Sequence, residues 1–369
     1  MNPSIRIGRV AGIPIGANWS WLVIFGLVLW SLAETVFPDQ DPGLSDGAYW
    51  GMAVVAAVLF FGSILLHELG HALRAQREGV EIEGITLWLF GGVARFRTRF
   101  ASPGAEFRVA VAGPLVSAVI AGALLLFAGL VPLPESVEGV AFWVGYINAV
   151  VLVFNLIRAP PLDGGRILHA ALWRWKGELI WATTIGAAIG RGFGLLMIGG
   201  GIASLVFGGG IGGAWLIFVG WFLNMAARAE ATQLIVGERL GEKRVRDVMV
   251  DHPVAVEPDL SVGSFMDEVA RRHRHSTYPV VDHERAVGLL PFRCVAATPR
   301  SEWDESRVRD CMVPRDDVPT VGQDEAADEA FRELVQDGSG RALVVEDGRL
   351  VGLLTVADLA RAAELDGRG

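Results

Sequence analysis

The stretch Ala48–His71 reads AYWGMAVVAAVLFFGSILLHELGH, and its two parts decide how the rest of the chain is understood. Ala48 to Leu66 carries no charge and approaches the roughly 20 residues a helix needs to cross a bilayer. Directly after it come His67, Glu68 and His71. Ionisable groups at the end of such a run are costly there and are commonly functional. Side chains four apart share one face of a helix, so the two imidazoles can hold one Zn2+. Glu68 is then placed to act as general base.

Working outward, four more apolar stretches are long enough to span: Trp19–Val36, Phe107–Val131, Val140–Ile157 and Ala214–Ala231. A sixth, Leu179–Phe207, is rich in glycine and interrupted by Arg191. The fold class expected is an α-helical polytopic membrane protein of about six transmembrane helices, followed by a soluble α/β module. The composition agrees, with 52% hydrophobic residues and 12 Trp, and a mean hydropathy of +0.41. The membrane part is read as residues 1–235, a linker as 236–242 and the soluble part as 243–364. A net charge of −9 and the lack of any Lys/Arg-rich block argue against a nucleic-acid partner. Cys294 and Cys311 form no disulfide framework and fit a reducing compartment. Met1–Ala17 has no basic lead into a short apolar core, so the first apolar run reads as a retained helix.

Basic residues in short loops set orientation. They cluster before the first span (Arg6, Arg9), after the second (Arg74, Arg77, Arg95, Arg97, Arg99, Arg108) and after the fourth (Arg158, Arg166, Arg174, Lys176). The alternate loops, Phe37–Gly47, Pro132–Gly139 and Gly208–Gly213, contain no Lys or Arg. Both termini and the soluble half should therefore be cytoplasmic, on a multi-pass protein of the cell membrane.

A catalytic zinc takes three protein ligands and keeps one open position. Asp163, in Pro161-Leu162-Asp163-Gly164-Gly165-Arg166, follows the fourth span, where Pro and Gly would bend a carboxylate inward. The plainer reading is a turn-forming Asp before a helix. His169 is the competing ligand, while His252, His273, His275 and His283 read as solvated residues of the soluble half.

The pairing of His67-Glu68-Leu69-Gly70-His71 with Asn155-Leu156-Ile157-Arg158-Ala159-Pro160-Pro161-Leu162-Asp163-Gly164-Gly165-Arg166 resembles the site-2 protease family of intramembrane metalloproteases. Phe90-Gly91-Gly92-Val93-Ala94-Arg95 and Ala112-Gly113-Pro114-Leu115-Val116-Ser117 also match. The resemblance implies a zinc ion held by His67, His71 and Asp163, with Glu68 as base. It implies that Asn155 helps place the substrate or oxyanion, and that the Gly91–Gly92 loop approaches the substrate strand. Asn155 can equally be read as a polar contact between helices. Arg158 departs from the family, which usually has Pro there.

The soluble half repeats itself. Val245-Arg246-Asp247-Val248-Met249 recurs as Val308-Arg309-Asp310-Cys311-Met312, and Val287-Gly288-Leu289-Leu290 as Val351-Gly352-Leu353-Leu354. Such offsets mark a tandem duplication, over 243–299 and 306–364, with helices expected at Ser261–His273 and Glu325–Gln336 and strands at Tyr278–Val281 and Ala342–Val345. The pattern resembles a pair of CBS domains, which implies an adenine-nucleotide site (ATP or AMP) using Thr355 and Asp358, and a homodimer through the pair. Thr355 can alternatively serve only as a helix cap. Pro291 and Cys294 stand at the matching places of the first repeat.

The function expected is zinc-dependent hydrolysis of peptide bonds in a transmembrane or membrane-associated substrate, such as an anti-sigma factor or other regulator, gated by the CBS pair. The competing readings are a CBS-regulated transporter or channel and a catalytically dead adaptor.

Overall fold

The computed structural model describes residues 4–89, 91–96, 100–208, 210–241 and 243–366. Phe90, Arg97 and Arg99, used above, lie outside the described residues, as does Glu242 of the expected linker. The chain divides into two compact units, Asn2–Ala231 and Thr232–Gly369.

In the first unit, β1 (Ile5–Val10) and β2 (Ile13–Ala17) form a hairpin, followed by α1 (Ser20–Ser31), a π-helical turn (Leu32–Val36) and α2 (Phe37–Gln40). Then come α3 (Asp46–Arg77), β3 (Ile82–Trp88), β4 (Gly91–Phe96), α4 (Pro103–Leu130), α5 (Glu135–Asn155), α6 (Asp163–Lys176), α7 (Leu179–Val206) and α8 (Gly210–Leu240). Five of the described helical segments are long and apolar enough to cross a membrane: Ser20–Gln40, α3, α4, α5 and α7. The expected sixth span is α7, one of those five, whereas Ala214–Ala231, expected as a clear span, lies within α8 and is not among them; it carries Asn224, Arg228 and Glu230. Large apolar side chains such as Leu115, Val119 and Leu196 face outward. Lipid-facing helices have this character, because hydrocarbon solvates leucine as well as a core does.

The sheet order β1-β2-β3-β4 was not anticipated in a part expected to be all-helical. Its signal is the alternation of Ile5, Ile7 and of Ile13, Ile15, a period-two pattern too short to compete with the spans beside it. β2 runs parallel to β3 and β3 antiparallel to β4, which leaves β4 as an edge strand. Ile13 and Ile85 pack with Ala72 of α3, so the sheet is fastened to the end of the helix that carries His67 and His71.

Helices α7 and α8 meet through glycine. A methyl group at Gly194 would lie 2.7 Å from the Gly220 carbonyl oxygen, and one at Gly201 2.6 Å from that of Gly213. Small residues let helix backbones approach this closely in a membrane.

The second unit is built on a seven-stranded sheet with the path β6-β7-β11-β10-β9. The first repeat supplies β5 (Val250–Asp251), a helical stretch of α9 (Val262–Ser264) and a π-helix (Phe265–Ala270), β6 (Thr277–Asp282), β7 (Arg285–Pro291) and α10 (Phe292–Ala297). The second supplies α11 (Val308–Cys311), β8 (Val313–Pro314), β9 (Thr320–Val321), α12 (Ala327–Asp337), β10 (Arg341–Glu346), β11 (Arg349–Thr355) and α13 (Val356–Asp366). The repeats exchange their first strands: β5 pairs with β11, and β8 with β7. Residues 236–240, read above as linker, are the end of α8. Val236 and Leu240 are buried with Val245, Phe331 and Leu334, and that burial keeps the segment helical.

Candidate metal centre

The spacing of His67 and His71 on α3 brings their Nε2 atoms to 3.2 Å from each other. Asp163, the first residue of α6, reaches both: Oδ2 is 3.1 Å from His67 Nε2 and Oδ1 3.3 Å from His71 Nε2. Among the described residues this is the one group of three or more His, Cys, Asp or Glu able to hold a metal ion, its ligand atoms all within 4.8 Å of one another. Two metal bonds of about 2.0–2.1 Å at a tetrahedral angle put ligand atoms roughly 3.3 Å apart, so the donor set has the type and spacing that zinc takes.

Both imidazoles are oriented from behind by α4. His67 Nδ1 lies 2.9 Å from Ser117 Oγ, and His71 Nδ1 donates to the Val109 carbonyl oxygen at 2.7 Å. With each Nδ1 engaged away from the centre, each Nε2 is left free to ligate, the arrangement that fixes metal-binding histidines. Val109, Gly113 and Ser117 are four apart, on one face of α4. Gly113 is the point of closest approach, since a methyl there would stand 2.2 Å from His71 Nε2 and 2.7 Å from His67 Nε2. The sequence alone assigned neither Gly113 nor Ser117 a part in orienting the histidines. The signal was their spacing, but pairing across 50 residues cannot be read from one helix alone.

Asp163 is held by the glycines after it. A methyl on Gly164 would meet the Leu156 and Ile157 carbonyl oxygens at 2.4 Å, and one on Gly165 the Pro160 nitrogen at 2.2 Å. The start of α6 therefore beds directly on the turn that leaves α5. His169, the competing ligand, faces elsewhere: its Nδ1 is 2.9 Å from both Glu106 carboxylate oxygens and its Nε2 3.0 Å from Thr183 Oγ1.

Glu68 is half-buried beside the two histidines, with Gly92 against it. The Gly91–Gly92 pair, expected as a loop, opens β4, where it pairs with Trp88 and Leu87. Gly91 has φ +123°, a conformation that favours glycine. Asn155 ends α5 half-buried, and its side chain makes no hydrogen bond among the described residues, so the expected alternative of an inter-helix contact is not seen there. In the second unit, Thr355 Oγ1 donates to Asp358 Oδ2 at 2.6 Å and accepts from the Asp358 N–H at 3.1 Å, a capping arrangement at the start of α13.

Comparison with known proteins bears on this geometry. The Peptidase family M50 pattern matches residues 55–138 and 133–199, and the CBS domain pattern residues 245–296 and 308–365. The chain is 37% identical over 370 residues to "Putative zinc metalloprotease Rip3" of Mycobacterium tuberculosis, covering 99% of this chain and 94% of that one. The chain belongs to the M50 zinc metalloproteases. "Zinc metalloprotease MJ0392" of Methanocaldococcus jannaschii is 32% identical, with 99% of this chain and 97% of that one aligned. The solved site-2 protease of the same organism is 32% identical, covers 62% of this chain and 94% of its own, and superposes with a TM-score of 0.44. This M50 metalloprotease, a multi-pass membrane protein carrying a CBS pair, is thus an enzyme. The transporter and channel reading gives way to that membership.

Proposed function

We propose that this metalloprotease hydrolyses peptide bonds within or beside the transmembrane segments of protein substrates, with His67, His71 and Asp163 as zinc ligands and Glu68 as general base. The observation that carries the reading is the convergence of three ligand atoms at tetrahedral spacing with Glu68 next in the chain. When bound, zinc supplies Lewis acidity that polarises a peptide carbonyl and acidifies water. The Glu68 carboxylate accepts the proton of the attacking water and delivers it to the departing amine. Val109 and Ser117 keep the imidazoles in one tautomer and orientation throughout.

A transmembrane helix hides its carbonyl groups in its own hydrogen bonds, so the bond to be cut has to be presented as extended chain. Among the described residues β4 is an edge strand that offers backbone groups for an added strand, and it begins at Gly91 and Gly92, the second of which lies against Glu68. Asn155, whose amide makes no hydrogen bond among the described residues, orients the substrate backbone. A regulator with a membrane anchor, such as an anti-sigma factor, is the substrate class this chemistry suits. The clustered arginines support an orientation with the metal-bearing end of α3 and the CBS pair on the cytoplasmic side of the cell membrane.

The CBS pair regulates cleavage by binding ATP or AMP, with Thr355 and Asp358 at the N-terminus of α13 taking phosphate and ribose, and it supports a homodimer. Metal analysis of the purified protein together with cleavage of a reporter transmembrane peptide tests the protease reading. One zinc per chain and an inactive Glu68→Gln are expected; a zinc-free active protein, or a fully active Glu68→Gln, overturns it. Titration with ATP and AMP tests the second part, and equal binding by Asp358→Ala removes that site.

A further inference from the structure

Arg166 lies one turn beyond Asp163 on α6, on the same face. Its guanidinium faces groups from several elements. The Nε atom is 3.7 Å from Glu230 Oε1 of α8, the carbon at its centre is 5.9 Å from the ring centroid of Phe96 in β4, and its electrostatic neighbours are Glu230, Asp163, Glu106 and Glu68. One arginine therefore stands among the carboxylates that surround the candidate metal centre. Glu230 in turn has its second oxygen, Oε2, buried and without a hydrogen-bond partner among the described residues. A partly exposed carboxylate with one oxygen cut off from partners and the other facing a guanidinium depends on that cation for its charge compensation.

A second contact joins the same parts. A methyl at Gly190 of α7 would lie 3.0 Å from the Pro160 carbonyl oxygen and 3.2 Å from Ala227 Cβ of α8. Ala227 precedes Glu230 by almost one turn, and Pro160 belongs to the turn on which Gly165 and the start of α6 are bedded. Helix α8 thus bears on the Asp163 segment directly through the Glu230–Arg166 pair, and by way of α7, whose Gly190 packs between Ala227 and the Pro160 turn.

We propose that Arg166 is a positioning residue whose pairing with Glu230 sets the angle of α6 and so the place of the Asp163 carboxylate between His67 and His71. The proposal rests on Asp163 being a zinc ligand. Arg166 touches neither substrate nor metal; it acts through Asp163. Lysine at this position keeps the charge but not the planar fork that can face Glu230 and lie over Phe96 together.

The test is the rate at which zinc passes from the purified, detergent-solubilised protein to a chelator, read beside kcat and KM for a reporter peptide. Arg166→Gln and Glu230→Gln should each speed zinc release by roughly tenfold or more, the range for groups that support metal ligands, and lower kcat with KM unchanged. The charge-swapped pair Arg166→Glu with Glu230→Arg should recover most of the loss. Wild-type zinc release in both single variants overturns the proposal, as does a swapped pair no better than the worse single variant. Thermal unfolding of each variant separates a shifted helix from a collapsed one, and Arg166→Lys, the mildest change, should fall between wild type and Arg166→Gln. Asp163→Asn tests the underlying reading separately: if it holds zinc as wild type does, Asp163 is no ligand, whatever Arg166 does.

Discussion

Gly92 lies directly against Glu68: a Cβ built on Gly92 would stand 2.4 Å from Glu68 Cγ and 3.1 Å from Cδ. The edge strand and the acid of the metal-binding helix are thus in contact through a position where no side chain fits. Gly92→Ala must displace Glu68. Since a misplacement of about 1 Å can lower a rate roughly 100-fold, kcat should fall by one to two orders of magnitude while zinc content stays at the wild-type level. Steady-state cleavage beside metal analysis checks this, and an unchanged kcat would disprove it.

Gly113 makes the opposite kind of contact, with the ligands themselves. Gly113→Ala puts a methyl group where His67 and His71 turn their Nε2 atoms, so zinc and activity should be lost together. Gly122→Ala on the same helix meets nothing within 4 Å and serves as the control, with full zinc and full activity expected.

Ser117→Ala removes the partner of His67 Nδ1 and leaves the fold alone. Loss of such a supporting bond typically weakens metal binding about 10–100-fold. Chelator competition should show that drop, and no change would mean that the hydroxyl does not orient the imidazole.

Glu78, just beyond α3, is held by Arg108 through two bonds, at 2.8 and 2.6 Å, and by Arg74 at 2.6 Å. Those guanidinium groups, Arg108 foremost, draw its carboxyl down to about 2, against the opposing effect of burial. A carboxyl lowered in the folded state contributes stability in full above its unfolded value and loses it as pH falls toward the folded one. Resistance to thermal unfolding should therefore fall as pH is lowered from about 5 to about 2, and Glu78→Gln should flatten part of that slope. High salt should do the same, because both guanidinium groups are reached by solvent.

In the CBS pair, a methyl on Gly288 would meet the Val313 carbonyl oxygen at 2.5 Å, whereas one on Gly352 would meet the Met249 sulfur at 2.5 Å. Backbone cannot yield and a methionine tip can. Gly288→Ala should cost about 1–3 kcal/mol in urea unfolding of the full chain, and Gly352→Ala distinctly less. Equal losses would refute the distinction.

The parts of this molecule that were legible in sequence are those written within one element. The spans needed only length and apolarity, and the His67–His71 pair only the pitch of a helix. The duplication declared itself by the return of Val-Gly-Leu-Leu. Asp163 is 96 residues from His67, and its approach was legible only through the proline and glycine around it and the family resemblance. What stayed hidden depends on contacts between elements. Ser117 and the Val109 carbonyl act on histidines of another helix. The four-stranded sheet is assembled from segments separated by more than 60 residues, each with too brief an alternation to stand out. His169 looked like a ligand because its type allows it, and only packing against Glu106 and Thr183 employs it otherwise.

The exchange of β5 and β8 between the repeats makes each half of the duplication the custodian of the other's sheet. A chain cut between residues 299 and 306 would leave β7 and β11 each with an exposed edge, and β5 and β8 as two-residue orphans too short to pair elsewhere. Neither repeat is a smaller version of the module.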